Sequence, residues 1–304
     1  MSKVAFLFPG QGAQYVGMAK DLFENSAEAK EIIQAAEDAI SFKLSDVMFN
    51  GPEDALKQTD VTQPAIFLHS VVLSKLIKSV SPDMAAGHSL GEYSALVEAG
   101  AMKFEDAIKL VRFRGEGMLQ SGIDNPGTMA AVVGLSSELT EEACNEASSE
   151  GIVQCANFNS PGQIVISGSV SGVEKAMELA KAKGAKLVKQ LVVSGAFHSP
   201  LMQSAKDKLK TKLDESEICD ANIPVYANVT ASPVTKAEEI KKLLFEQVTA
   251  PVRWEETILN MIAAGAGEFY EIGPGKVLQG LVKRIDRNVK ISGISSFEDL
   301  KNFI

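Results

Sequence analysis

Apolar residues fall along this chain either in short solid runs or in stripes at helical spacing. Residues 4–8, VAFLF, form a solid run closed by Pro9-Gly10, which predicts a buried strand followed by a turn. Helical spacing covers about 17–40 and then about 64–78. Residues 84–88 form a second short apolar run, and helical spacing resumes at Leu90. Buried strands alternating with amphipathic helices predict an α/β fold with a mostly parallel sheet.

The pattern changes in the middle of the chain. Strands are predicted at 128–133, 152–156, 163–167 and 185–193, and helices at 138–149 and from Ser171 onward. Asn159-Ser160-Pro161-Gly162 supplies a hairpin-like turn. Ser171 with Glu174 three residues on reads as a capping box, and Gly184 suits the end of that helix. The order β-α-β-β-α-β is the ferredoxin-like pattern. Asp124-Asn125-Pro126-Gly127 marks its entry and Ser194-Gly195 its exit. The expected organisation is therefore a large α/β unit made of 1–124 and 195–304, carrying a small ferredoxin-like unit at 125–194. The remainder, 199–304, reads as mixed helices and short strands.

Composition narrows the function classes. The chain has 304 residues, 45% of them hydrophobic, enough for a sizeable core. Its start lacks the apolar stretch of a signal peptide, and no apolar run approaches the ~20 residues that span a bilayer. A soluble, cytoplasmic protein is expected. The net charge of −9 argues against nucleic-acid binding. Cys144, Cys155 and Cys219 form neither a disulfide framework nor a zinc spacing, and His69, His88 and His198 are dispersed, so no metal is expected.

Gly87-His88-Ser89-Leu90-Gly91 matches G-x-S-x-G after a predicted strand and before a predicted helix, the context of a nucleophile elbow. The glycines let neighbouring backbone pass without Cβ clashes, and the helix start offers N–H groups to an oxyanion. The plainer alternative is a glycine-rich strand-to-helix turn holding an incidental serine. A serine hydroxyl needs a base. His88 ends the predicted strand directly before the serine and should point away from the Ser89 hydroxyl, and His69 lies in the apolar segment AIFLHSVVL, as a packed core residue would. His198, in GAFHSP where the small unit rejoins the large one, is left by elimination, with no aspartate nearby to orient it.

The helix predicted at 104–120 carries two arginines about 200° apart around its axis. Arg112 shares a charged face with Glu105, Lys109 and Glu116. Arg114 aligns with Ala107, Leu110, Val111 and Met118 and should face inward, where an unpaired guanidinium is costly. Two partners are open to it: an internal Asp or Glu, or a carboxylate on a substrate. FPGQGAQ at 8–14 lacks the spacing of a nucleotide loop, and is either a tight turn or a source of backbone N–H groups. Gly273-Pro274-Gly275-Lys276 reads as a turn. The lysines at 181, 183, 186 and 189, and at 206, 208, 210 and 212, read first as solvated surface and secondarily as a partner dock.

Taken together, FPGQGAQ, GHSLGEYSAL, RFRGEGM, NFNSPGQIVISG, GAFHSPLM, QVTAPVRW and EIGPGKVL resemble the malonyl-CoA:acyl carrier protein transacylase family over nearly the whole chain. The resemblance implies an α/β-hydrolase-like large domain with an inserted ferredoxin-like one. It implies Ser89 as the acylated nucleophile, His198 as general base and then acid, and the backbone carbonyl of Gln247 as the group that orients His198. It implies an oxyanion hole made of the Gln11 and Leu90 N–H groups, and Arg114 as the partner of the malonyl carboxylate. No bound cofactor is implied: malonyl-CoA is the substrate, and phosphopantetheine arrives on the acyl carrier protein, the protein partner. The family also suggests a monomer. Ala13 stands where many members have serine, and Phe197 before the histidine resembles malonyl-selective acyltransferases, including those of polyketide synthases. A discrete acyltransferase of a polyketide pathway and a serine esterase or thioesterase are the rival readings.

Overall fold

The structure, a computed structural model, describes residues 2–304. Its strands are β1 (Lys3–Phe8), β2 (Met84–Gly87), β3 (Thr128–Val133), β4 (Val153–Ser160), β5 (Gln163–Gly168), β6 (Leu187–Gln190), β7 (Val225–Tyr226), β8 (Pro233–Val234), β9 (Ala266–Ile272) and β10 (Lys290–Ile294). They form two sheets. The first has six strands in the order β10-β9-β1-β2-β7-β8, parallel throughout except for the β7–β8 pair. β1 lies inside it and is buried on both faces: Phe6 and Phe8 enter one hydrophobic cluster, Ala5 and Leu7 the other. A strand covered on both sides has to be apolar at every position, which is why 4–8 shows no alternation.

The second sheet has four antiparallel strands in the order β4-β5-β3-β6, with chain order βαββαβ, the ferredoxin-like arrangement predicted from the pattern. Its helices, Ser137–Ala147 and Val170–Ala182, cover one face and enclose a core that includes Ala130, Val132, Ile164, Ile166 and Val173. Val252, in the segment just before the Trp254–Ala263 helix, bridges to β4: its N–H donates to the Ala156 carbonyl (2.8 Å) and its carbonyl accepts from the Phe158 N–H (2.9 Å).

Several boundaries differ from the sequence expectation. The stripe at 17–40 is two helices, Lys20–Asn25 and Ala27–Ile40, because Ser26 leaves the helical conformation and its hydroxyl caps the second by accepting from the Ala29 N–H. The helix expected at 64–78 begins at Thr59, so Pro64 sits inside it; burial on nearly all sides outweighs the missing donor. The capping serine of the Val170–Ala182 helix is Ser169, which accepts from the Gly172 N–H, while the Ser171 hydroxyl donates to the Glu150 carbonyl. The fourth strand of the small sheet is shorter than expected, Leu187–Gln190. Among the described residues, no helix is long and apolar enough to cross a membrane.

Candidate active site

β1 and β2 run side by side and end together, with Phe8 opposite Gly87. The chain then turns sharply at Ser89, which has φ 52°, a left-handed conformation unusual for a residue with a Cβ, before the Gly91–Glu98 helix begins. Both flanking glycines are required by close backbone contacts. A Cβ on Gly87 would lie 1.8 Å from the Gly91 carbonyl carbon, and one on Gly91 would lie 2.1 Å from the Phe8 oxygen. Asn228, just beyond β7, braces the turn: its Oδ1 accepts from the Ser89 N–H (2.6 Å) and its Nδ2 donates to the Gly87 carbonyl (2.7 Å).

His198 also has left-handed backbone, φ 56°, and its Nε2 lies 2.8 Å from Ser89 Oγ. Its Nδ1 faces two carbonyl oxygens, Gln247 at 2.9 Å and Ala250 at 3.1 Å. Carbonyls only accept, so Nδ1 carries the ring proton and Nε2 presents a lone pair to the serine hydroxyl. Burial, then the nearby Arg114 charge, push the imidazole pKa down to about 3, so the ring is neutral at physiological pH and its Nε2 lone pair is unprotonated. Two peptide carbonyls thus stand where an aspartate is often found. Gln154 of β4 steadies the loop by donating to the carbonyls of His198 (2.8 Å) and Thr249 (3.2 Å).

The other histidines sit as expected. His88 Nε2 bonds Asn159 Oδ1 at 2.9 Å and the ring packs against Trp254; His69 is buried with Nε2 3.1 Å from the Ser295 carbonyl.

Arg114 is 2% exposed and points inward from the Phe104–Asp124 helix. One Nη donates to Gln63 Oε1 (2.6 Å); the other donates to Gln247 Oε1 (2.9 Å) and Ser89 Oγ (3.0 Å). Among the described residues no Asp or Glu forms an ion pair with it, and its Nε has no partner. The internal-acid alternative is therefore not realised. Two residues earlier, Arg112 pairs with Glu116 (2.7 Å) on the charged face, as the periodicity predicts, and also with Asp60 (3.3 Å) of the neighbouring Thr59–Leu76 helix.

Ser89, His198 and Arg114 line a cavity of about 220 Å³, together with Gln11 and Leu90. Neither the Gln11 nor the Leu90 backbone N–H donates a hydrogen bond among the described residues, and both residues line the cavity. β3, β4 and β5 contribute Met129, Asn157, Asn159 and Val165 to the walls. A larger hollow of about 550 Å³ elsewhere is lined by Lys109, Arg112, Glu116 and Lys212 and holds none of the predicted site residues. No cluster of His, Cys, Asp or Glu among the described residues could hold a metal ion.

All six predicted site residues thus meet at one place: Ser89, His198, Arg114, Gln11 and Leu90 in the cavity, and Gln247 behind them. Four polar contributors were not singled out from sequence: Gln63, Glu92, Gln154 and Asn228. Glu92 is 3% exposed, and its Oε2 accepts from the Asn228 N–H and Gln247 Nε2, both at 2.9 Å. Burial raises its carboxyl pKa to about 7 against the pull of those donors and Arg114. Its one available sequence signal was an acid inside an otherwise apolar stretch directly after the elbow. Chemically, the cavity offers a serine hydroxyl with a neutral base, two N–H groups for a developing oxyanion, and a buried cation for an anionic group on the acyl chain.

The chain belongs to the acyl transferase domain family, which it matches over residues 5–296. It is therefore an acyltransferase. It is 49% identical over 304 residues to the malonyl CoA-acyl carrier protein transacylase of Bacillus subtilis (strain 168), covering 99% of this chain and 96% of that one. Among solved structures, an acyl carrier protein S-malonyltransferase from Vibrio cholerae superposes with TM-score 0.94 at 41% identity, covering 99% of each chain. A malonyl-transacylase in complex with its type II PKS acyl-carrier protein gives TM-score 0.96 at 39% identity, covering 99% of this chain and 98% of that one.

Proposed function

We propose that this protein transfers a malonyl group from malonyl-CoA to the phosphopantetheine thiol of an acyl carrier protein, through a malonyl ester on Ser89, to supply fatty acid biosynthesis. The observation that carries this reading is Arg114: a buried guanidinium 3.0 Å from Ser89 Oγ and lacking an internal carboxylate partner. A neutral acyl group has no use for it; the free carboxylate of malonate does.

In the first half-reaction the Ser89 proton passes to His198 Nε2 as Oγ attacks the thioester carbonyl. The Gln11 and Leu90 N–H groups hold the oxyanion. The C–S bond breaks, and the CoA sulfur leaves with the proton from His198. In the second half-reaction the carrier's thiol gives its proton to His198 and attacks the ester, and Ser89 Oγ recovers that proton as it departs. Both halves balance without a bound cofactor, and the residues that perform them come from one chain, consistent with a monomer. A substrate built on coenzyme A fits action in the cytoplasm.

We further propose that 125–194 form a small unit inserted between 1–124 and 195–304. The four-stranded sheet and its separate core support that division.

Intact-mass measurement after mixing with malonyl-CoA tests the reaction. One malonyl adduct is expected on the wild type and none on Ser89→Ala, and the adduct should discharge when holo-carrier is added. No adduct, or one that persists in Ser89→Ala, overturns the reading; discharge to water as fast as to carrier marks a thioesterase. The likeness to the type II PKS transacylase favours one second reading, the same chemistry serving a polyketide carrier. A panel of carrier proteins separates the two.

A further inference from the structure

We propose that Glu92 is a positioning residue: its carboxylate holds the Gln247 side-chain amide in the single orientation that presents an acceptor to Arg114, and so fixes the guanidinium for an anionic acyl group. The inference rests on the malonyl-transfer reading above and adds a residue to it.

A carboxamide is nearly symmetric in shape, so an amide with equal surroundings at both ends could sit either way round. Gln247 is fully buried, and its surroundings are not equal. Its Nε2 faces two groups that accept, the Ser89 carbonyl at 3.0 Å and Glu92 Oε2 at 2.9 Å. Its Oε1 faces a group that can only donate, Arg114 Nη2 at 2.9 Å. A flip would set oxygen against two oxygens and NH₂ against the guanidinium. Of the two acceptors that prevent it, the peptide carbonyl belongs to the elbow, and Glu92 supplies the only one from a side chain.

The cost of burying Glu92 points the same way. The side chain sits in the first turn of the Gly91–Glu98 helix, where an acid facing solvent would already suit the helix dipole. Here it is buried, and no Lys, Arg or His forms an ion pair with it among the described residues. A well-packed apolar residue would remove that desolvation cost. What the carboxylate gains instead is two N–H donors. One is Gln247 Nε2; the other is the backbone N–H of Asn228, whose side chain braces Ser89 and Gly87. One oxygen thus ties the support of Arg114 to the support of the nucleophile.

The experiment measures acylation of Ser89 by malonyl-CoA and, as internal reference, by acetyl-CoA, which needs the elbow and His198 but no carboxylate grip. Glu92→Met removes the acceptor at similar volume, and Glu92→Asp withdraws it by one methylene. Both should lower the malonyl-to-acetyl ratio of kcat/KM by about tenfold or more. Glu92→Gln keeps an oxygen acceptor and should restore the ratio to within about threefold of wild type. Gln247→Met should lower the ratio by a similar factor, and Glu92→Met combined with Gln247→Met no further. If Glu92→Met fails to fold, Glu92→Asp and Glu92→Gln decide. Equal falls in malonyl and acetyl transfer, a Glu92→Gln as impaired as Glu92→Asp, or additive effects with Gln247→Met overturn the proposal. A wild type that forms no malonyl-Ser89 adduct overturns the function and this inference with it; a wild type that forms the adduct while the variants keep its ratio overturns this inference alone.

Discussion

The two sheets bury different things. The four-stranded sheet packs its helices over small and branched apolar side chains such as Ala130, Val132, Ile166 and Ala176, and that core contains no charged group. The carboxyl ends of the parallel sheet bury Arg114, His198, Glu92, Gln247 and Asn228 within hydrogen-bond reach of one another or of Ser89. The first is held by non-directional packing, which tolerates exchanges of similar volume. The second is held by directional bonds, in which each donor and acceptor depends on its neighbour. Where the four-stranded sheet does bury polar groups near the chemistry, as at Asn157 and Asn159, they line the cavity shared with the other sheet. Polar burial, more than depth alone, marks where the reaction takes place.

That contrast can be broken from either side. The largest effect is expected from His198→Ala, which removes the base and should slow Ser89 acylation by about a thousandfold or more in single-turnover measurements. Arg114→Ala should cost about a hundredfold in malonyl transfer while sparing or improving acetyl transfer; equal losses would disconnect the arginine from the carboxylate. Gly91→Ala forces a Cβ against the Phe8 oxygen, and a loss of about 3 kcal/mol in denaturant unfolding is expected, together with loss of acylation. In the four-stranded sheet, Ile166→Val should cost about 1 kcal/mol and leave the malonyl-to-acetyl ratio unchanged.

The remaining effect is electrostatic. Because the folded Glu92 carboxyl titrates at about 7, above the ordinary 4.5, the folded state holds its proton more tightly than the unfolded one. Its contribution to stability is complete below 4.5 and fades as pH rises through about 7. Glu92→Gln has no such proton to lose. Thermal melts should therefore show the variant gaining on the wild type by a few degrees near pH 8, with little difference near pH 5.

Much of the site could be read from sequence because its chemistry coincided with a local rule. The elbow announced itself through glycine spacing between a strand and a helix. Arg114 stood out because helical periodicity placed a charge on an apolar stripe, and the structure puts it inside, without the internal acid that periodicity had left open. Gln247 entered through family resemblance alone, since nothing local distinguishes a glutamine whose carbonyl and side chain both matter. Glu92 and Asn228 were missed for a related reason. An acid in a helix's first turn and an asparagine after a short strand are ordinary surface features, and only the packing of β2 beside β7 makes them interior. Pattern also misjudged boundaries, reading one helix across Ser26 where a side-chain cap starts a second.

The hydrogen bond between Ser89 and His198 joins positions 109 residues apart, with every strand of the four-stranded sheet on the chain between them. Such a contact is among the most expensive to form early, because the intervening chain must first be closed into a loop. Neither residue can settle into its left-handed backbone by local preference alone; each is held there by surroundings that assemble from distant segments. Recovery of acylating power on refolding therefore reports when segments from both sheets have come together around Ser89 and His198, which collapse alone does not require.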